Sequence, residues 1–361
     1  MRGSRLPAGG ENVLQTIRGK RAAAEASGMA AARMVQNPIR PSEVITEKSV
    51  ENALRVLLSL GGSTNAIIHL TAIAGRLGIR IGLDRLNQLS DETPVLVNLK
   101  PVGSHYMEDF FFAGGVGAVL RELKPLLHLD TISVTGERLG DRLEQDPGYV
   151  DRRVIATAEE PLEPQGGLVA LFGNLAPRGA ILKRSAADSS LFETEGRAVV
   201  FTSLEDLAAR IDDPDLDIQA DDVMVLQNAG PRSASGMPEA GYLPIPRKLS
   251  SKGVKDMIRI SDARMSGTAF GTIILHVAPE AAVGGKLALV RTGDRIRLSV
   301  KDKRVELLVD DAELDRRRAE WTPDLVPPEE RRGYDRLYAS EVLQADEGCD
   351  FAFLQPIGSK D

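Results

Sequence analysis

From Val154 onward, short apolar runs recur between turn residues, and that spacing limits the fold more than any other feature of the chain. Runs of four or five residues have the length of strands, not of helices. The pattern predicts strands at 169–172, 180–183, 198–201, 223–227, 257–260, 273–277, 287–290, 295–299 and 304–308. Helices interrupt it at 203–211 and 311–320. Ser203-Leu204-Glu205-Asp206 carries an N-cap residue followed by acids in the first turn, as a helix start requires. Many short strands with few crossover helices describe a barrel or sandwich.

Upstream of residue 145 the pattern is different. Residues 1–16 read as irregular, and 17–36, rich in Ala, Arg and Met, as a helix ended by Asn37-Pro38. Residues 49–60 read as a helix, broken at Gly61-Gly62-Ser63-Thr64-Asn65, and 66–77 as a buried helix. The run 94–99 has the character of a buried parallel strand. Residues 107–123 contain Gly114-Gly115-Val116-Gly117 followed by a helix. The fold class expected is α/β: an incomplete α/β parallel-sheet domain over 1–150, a β-barrel-like domain with flanking helices over 151–330, and a helix and tail over 331–361.

Composition removes several functions. The one cysteine, Cys349, cannot form a disulfide within the chain or supply a multi-thiolate metal site, and it suits a reducing, cytoplasmic setting. Four histidines leave little for a zinc site. The net charge is -7 and no basic stripe is interleaved with aromatics, which argues against nucleic acid. No apolar run approaches the ~20 residues of a membrane span. The segment after Met1-Arg2-Gly3-Ser4-Arg5 lacks the apolar core of a signal peptide.

Three stretches are chemically suggestive. Gly61-Gly62-Ser63-Thr64-Asn65 precedes an apolar helix, where it serves either as an anion cradle or as a plain capped turn. Asn228-Ala229-Gly230-Pro231 through Gly236-Met237-Pro238-Glu239 follows a strand, and Glu239 offers a hard oxygen donor for Mg²⁺, or is simply a solvated surface Glu. Asp262-Ala263-Arg264-Met265-Ser266-Gly267-Thr268 follows another strand and sets two hydroxyls around a glycine, and a structural turn with Asp262 paired to Arg264 or capping locally is the alternative. His69 and His276 read as core histidines, and Cys349 as a partly buried thiol with no neighbouring base.

Together with Leu99-Lys100-Pro101, Met107-Glu108-Asp109-Phe110, Gly173-Asn174-Leu175-Ala176-Pro177 and His276-Val277-Ala278-Pro279-Glu280-Ala281, these stretches resemble, in order, the dihydroxy-acid and sugar-acid dehydratase family. Ala263-Arg264-Met265-Ser266 and the tail Gln344-Ala345-Asp346-Glu347-Gly348-Cys349-Asp350-Phe351 are most similar to the aldonate branch. The resemblance implies a hydro-lyase that removes water between C2 and C3 of a 2,3-dihydroxy carboxylate, leaving an enol that becomes a 2-keto acid. It implies Mg²⁺ at the carboxylate and 2-hydroxyl, a [2Fe-2S] cluster at the departing 3-hydroxyl, and a homodimer or homotetramer without membrane or nucleic-acid partners. By position, Glu239 corresponds to a Mg²⁺ ligand, Ser266 to the base at C2 and Thr268 to a substrate-contacting hydroxyl, with Asp262 and Arg264 shaping their turn. The dihydroxy-acid dehydratase of branched-chain amino-acid synthesis and a non-catalytic oligomerisation remnant are the alternatives.

The chain departs from that family in two ways. The three cluster cysteines, and the Asp and carbamylated Lys that complete the Mg²⁺ site, have no counterpart, and Leu6-Pro7-Ala8-Gly9 resembles the stretch just after the last cluster cysteine. The chain therefore reads as a member lacking its front, expected alone to hold no cluster and to dehydrate no aldonate. Ser235 stands where the family carries Pro before Gly-Met-Pro-Glu, which loosens that loop.

Overall fold

A single eight-stranded sheet dominates the residues after 150 in the computed structural model, which describes residues 8–145, 148–238, 243–265, 270–323 and 325–356. Its strands are β1 (Val169–Leu171), β2 (Gly179–Leu182), β3 (Glu193–Phe201), β4 (Val223–Leu226), β5 (Arg259–Ser261), β6 (Ile273–Ala278), β7 (Arg295–Ser299) and β8 (Arg304–Leu307). Their order is β1-β2-β6-β5-β4-β3-β7-β8. Strands β3 to β6 run parallel, and both flanks are antiparallel. The two edges then meet: Phe172 N donates to Lys303 O at 2.9 Å and Val305 N to Phe172 O at 2.7 Å. The sheet is thus nearly closed into a barrel, which relieves most of its edge. The expected α/β class with a barrel-like unit and flanking helices is what forms.

Strand alternation sorts the side chains onto two faces. Leu171, Val200, Val225, Ile260, Ile274, Leu298 and Val305 fill the interior. Phe201, Met224, Leu226 and Leu275 face outward beneath helix Leu204–Arg210. On another side, Leu168, Ala170 and Ile181 face outward under helices Glu47–Ser59, Asn65–Gly75 and Leu83–Glu92, through Leu54, Leu58, Ile67, Leu86 and Leu89. Each of the larger of these side chains (Leu, Ile, Phe, Met), once removed from water, contributes ~1.5–3 kcal/mol. Residues upstream of 150 therefore share a core with the barrel. No helix among the described residues is long and apolar enough to cross a membrane.

Three elements differ from expectation. The first helix begins at Ala8, inside the stretch read as irregular. Run 94–99 makes isolated bridges instead of a parallel strand: Val95 pairs with Glu163 and Val97 with Ile155, both antiparallel. Leu96 N goes to Ser59 O at the end of a helix, so this backbone is satisfied piecemeal. Run 287–290 is a 3₁₀ turn, Lys286–Leu289. The buried Gln227 amide donates to Leu287 O at 2.7 Å and Val290 O at 3.0 Å, replacing the neighbour strand that an apolar run would otherwise need.

Candidate active site

Parallel strands bring their carboxyl ends to one edge, where loops with free choice of sequence converge and where open α/β sheets place their ligands. Here β4, β5 and β6 deliver Gln227–Gly230, Asp262–Met265 and Pro279–Ala281 to the same edge. The side chain that joins them is Asp262, wholly buried. Its Oδ1 accepts from Ala229 N at 3.0 Å and its Oδ2 from Ala281 N at 2.8 Å. Burial pushes the Asp262 carboxyl up to about 6, against the pull of these two amides. Arg264 does not pair with it; its Nε donates to Met237 O at 3.0 Å and so ties the β5 loop to the Gly236-Met237-Pro238 run. Met237 adopts a left-handed φ of 52°.

Glu280, also on that edge, is 1% exposed. Arg232 N donates to Oε1 at 2.9 Å and Oε2 at 3.0 Å, and the Gln344 amide donates to Oε1 at 2.6 Å. Burial, then the nearby Asp262 charge, pushes its carboxyl up to about 7. Sequence reasoning quoted both Glu280 and Gln344 within resembling runs but gave neither a role. A pairing 64 residues apart leaves no local signal.

His276 lies on β6 at a bulge. Gly179 faces Ala278 but Ile181 faces Leu275, so β6 carries one residue more than β2 there. Interior positions Ile274 and Val277 are three apart, and His276, at φ 59°, takes up the extra residue. It is buried, as a core histidine should be, yet Nε2 has no partner. Burial first, then Arg264 and His69, pushes its imidazole down to about 3, so it is neutral. His69, by contrast, is exposed on its helix and is not a core residue. Cys349 is half-buried; its Sγ lies 3.4 Å from Met237 Sδ, and burial, then Glu280, pushes the thiol up to about 12. It is no ready thiolate.

Gly61-Gly62 resolves into a helix cap. Gly61, at φ 55°, donates to Leu58 O, and Gly62 to Leu57 O, the two bonds of a Schellman motif. Those two amides are spent on the helix, not on an anion. Gly61–Ser63 and Leu99–Pro101 line a cavity of about 330 Å³ with Lys183 and Ser185. Lys183 follows Leu182, which faces Ile274 near the start of β6, so this cavity sits at the opposite end of the barrel from Asp262.

Glu239, Ser266 and Thr268 lie outside the described residues. Among the described residues, no three His, Cys, Asp or Glu side chains gather as a metal site. Asp262 and Glu280 are turned to backbone amides and Gln344, and a single high-pKa thiol cannot carry a cluster that needs several thiolates. The residues described here fit neither Mg²⁺ nor [2Fe-2S].

The fold and this edge describe an α/β barrel whose candidate loops gather at the carboxyl ends of its parallel strands. The N-terminal and C-terminal models of the dihydroxy-acid/6-phosphogluconate dehydratases match residues 5–142 and 153–349, and the chain belongs to that family. It is 47% identical over 334 residues to an L-arabinonate dehydratase of Rhizobium leguminosarum bv. trifolii, covering 92% of this chain and 57% of that protein. It is 48% identical over 331 residues to a 6-deoxy-6-sulfo-D-gluconate dehydratase of Pseudomonas putida, covering 91% and 57%. A dihydroxy-acid dehydratase of Ignicoccus hospitalis matches at 39% over 328 residues, covering 90% and 58%. The chain thus spans a little under three fifths of the length of these curated relatives.

Proposed function

We propose that this chain is the barrel-bearing part of a sugar-acid dehydratase, a carbon–oxygen hydro-lyase that converts a 2,3-dihydroxy carboxylate of the aldonate type to a 2-keto-3-deoxy acid. The observation that carries the reading is the joining of the resembling loops at one edge, with Asp262 bridging Ala229 and Ala281 and Arg264 holding Met237. Relatives named for sugar acids match at 47–48%, above the 39% of the dihydroxy-acid dehydratase, which favours aldonates over the branched-chain precursor.

In this reading the C2–H bond breaks and its proton goes to a base, for which Ser266 is proposed. The C3–O bond breaks, the hydroxyl leaves as water with a proton, and the enol tautomerises to the ketone. Thr268 is proposed as a contact to substrate and Glu239 as a Mg²⁺ ligand, both from the resemblance. A serine hydroxyl must be held beside positive charge to act as a base. Asp262 and Arg264 are proposed to shape the turn that precedes Ser266 in sequence. We assign 1–150 to the remainder of the N-terminal α/β domain, 151–330 to the barrel and 331–361 to the helix and tail, in a cytoplasmic homodimer or homotetramer.

The test is iron, sulfide and magnesium analysis of the purified chain with an L-arabinonate and a 2,3-dihydroxy-isovalerate assay side by side. The chain alone is expected to hold no cluster and to turn over neither. Bound [2Fe-2S] with turnover of the branched-chain substrate and not of the aldonate overturns the substrate assignment.

A further inference from the structure

Two runs that the proposed chemistry leaves without a role meet in space. One is Pro279-Glu280-Ala281 after β6, and the other is the tail 342–351. Gln344 is buried and reaches Glu280 twice: its amide nitrogen donates to Oε1 at 2.6 Å, and its amide oxygen accepts from Glu280 N at 2.9 Å. The same carboxylate holds Arg232 N near the head of the Gly230–Pro238 loop. Gly230 leaves the space for it: a Cβ there would stand 2.3 Å from Glu280 Oε2 and 2.7 Å from its Cβ.

The tail and the helix before it, Gly333–Glu341, grip that loop at three further points. Arg232 Nε donates to Val342 O at 3.0 Å. Tyr338 Oη donates to Gly236 O at 3.4 Å. Cys349 Sγ touches Met237 Sδ. The tail is itself anchored to helix Asn65–Gly75 by Arg76, whose guanidinium makes two bonds to the Asp350 carboxylate at 2.7 and 2.8 Å. Gly348 packs so close that a Cβ would lie 2.5 Å from Ala72 N.

We infer that Glu280 and Gln344 are positioning residues: a buried carboxylate–amide pair through which the C-terminal tail sets the course of the Gly230–Pro238 loop. The loop needs such an external hold. Met237 and Gly236 adopt left-handed backbone at φ 52° and 63°, and for Met237 that conformation is unfavourable unless its surroundings impose it. Asp262 fixes the loop at Ala229, and Glu280 fixes it three residues further on. The meaning of this hold for catalysis rests on the dehydratase reading, but the hold itself does not.

The geometry supplies its own control. In Glu280→Gln, an amide oxygen at the Oε1 position still accepts from Arg232 N and the Gln344 amide, but the NH₂ then stands at the Oε2 position, 3.0 Å from the Arg232 N–H, donor against donor, and the charge that strengthened both bonds is gone. In the double variant Glu280→Gln/Gln344→Glu, the oxygen of residue 280 still accepts from Arg232 N, its NH₂ donates to the new carboxylate, and that carboxylate still accepts from the backbone N–H of residue 280. Hydrogen exchange on the full chain, read amide by amide, tests this. Glu280→Gln and Gln344→Ala should speed exchange at Arg232 and Gly236 at least ~10-fold, the loss of one charge-assisted bond. Amides of β7 should change less than ~2-fold, and the swapped double variant should regain most of the protection. The inference is overturned if loop exchange is unchanged in both single variants, if exchange rises equally in β7, or if the swap restores nothing. Turnover of 2,3-dihydroxy-isovalerate and not of L-arabinonate would count against the sugar-acid reading and leave these exchange results standing.

Discussion

Replacing Gly173 with Ala should open the barrel along one seam. Gly173 sits at φ 144°, and a Cβ there would stand 2.1 Å from Val305 O, against an ordinary contact of 3.4–4 Å. Backbone cannot swing away as a side-chain tip can, so β8 must retreat from the end of β1 by more than an ångström. The bonds from Phe172 N to Lys303 O and from Val305 N to Phe172 O, 2.9 and 2.7 Å long, cannot survive that retreat. Their net loss is ~1 kcal/mol each, and an Ala at this φ adds ~1–3 kcal/mol of backbone strain. The sum, about 3–5 kcal/mol, is a large part of the ~5–15 kcal/mol that holds a typical domain folded. Urea unfolding followed by Trp321 fluorescence suits the question, since the single Trp packs against the barrel interior. Asn174→Ala probes the same seam: its side chain exchanges two bonds with Leu307, at 2.8 and 2.7 Å, as a neighbouring strand would. It should cost ~2 kcal/mol alone and less than that on top of Gly173→Ala, because both changes act on one contact. A Gly173→Ala protein within ~1 kcal/mol of the parent would refute the closed-seam argument.

Other perturbations test other joints. Asn87→Ala removes the buried amide that gives and takes a 2.9 Å bond with Ala170 on β1, and should lower stability by ~2–3 kcal/mol in the same urea experiment. Thr46→Ala breaks the reciprocal cap with Ser49 at the start of helix Glu47–Ser59 and should cost ~1 kcal/mol. Glu280→Gln should change how stability depends on pH. The Glu280 carboxyl is raised to about 7 in the fold from an ordinary 4.5, so its contribution is fully present below 4.5 and lost as pH rises through 7. The parent should therefore lose up to ~3 kcal/mol relative to the variant between pH 4.5 and pH 8, measured as paired unfolding free energies. A gain over that interval has the wrong sign for a carboxyl raised by burial.

Much of the barrel was legible in local pattern, because alternation and turn spacing are local. Runs 295–299 and 311–320 became β7 and helix Asp311–Glu320 with the same bounds, and Ser203 caps its helix by accepting from Asp206 N. Run 287–290 has the same apolar character and became a turn, because a glutamine 60 residues away satisfies its carbonyls. Run 94–99 likewise lacks the neighbour that would make it a strand. Whether an apolar segment pairs is decided by what lies beside it, and one sequence window holds no record of that.

The same division runs through the site. Residue types and their order were enough to nominate the loops after β4 and β5, and to connect them to a dehydratase lineage. They could not show that Gly61-Gly62 is spent on capping a helix, or that Asp262 turns from Arg264 to the amides of Ala229 and Ala281. Nor could they show that a bulge brings His276 to an outer position without a partner for Nε2, or that Glu280 is claimed by Gln344. Each depends on which buried polar atom finds a mate. A buried donor or acceptor must be satisfied by whatever the closed barrel sets against it, and only the assembled chain determines that neighbour.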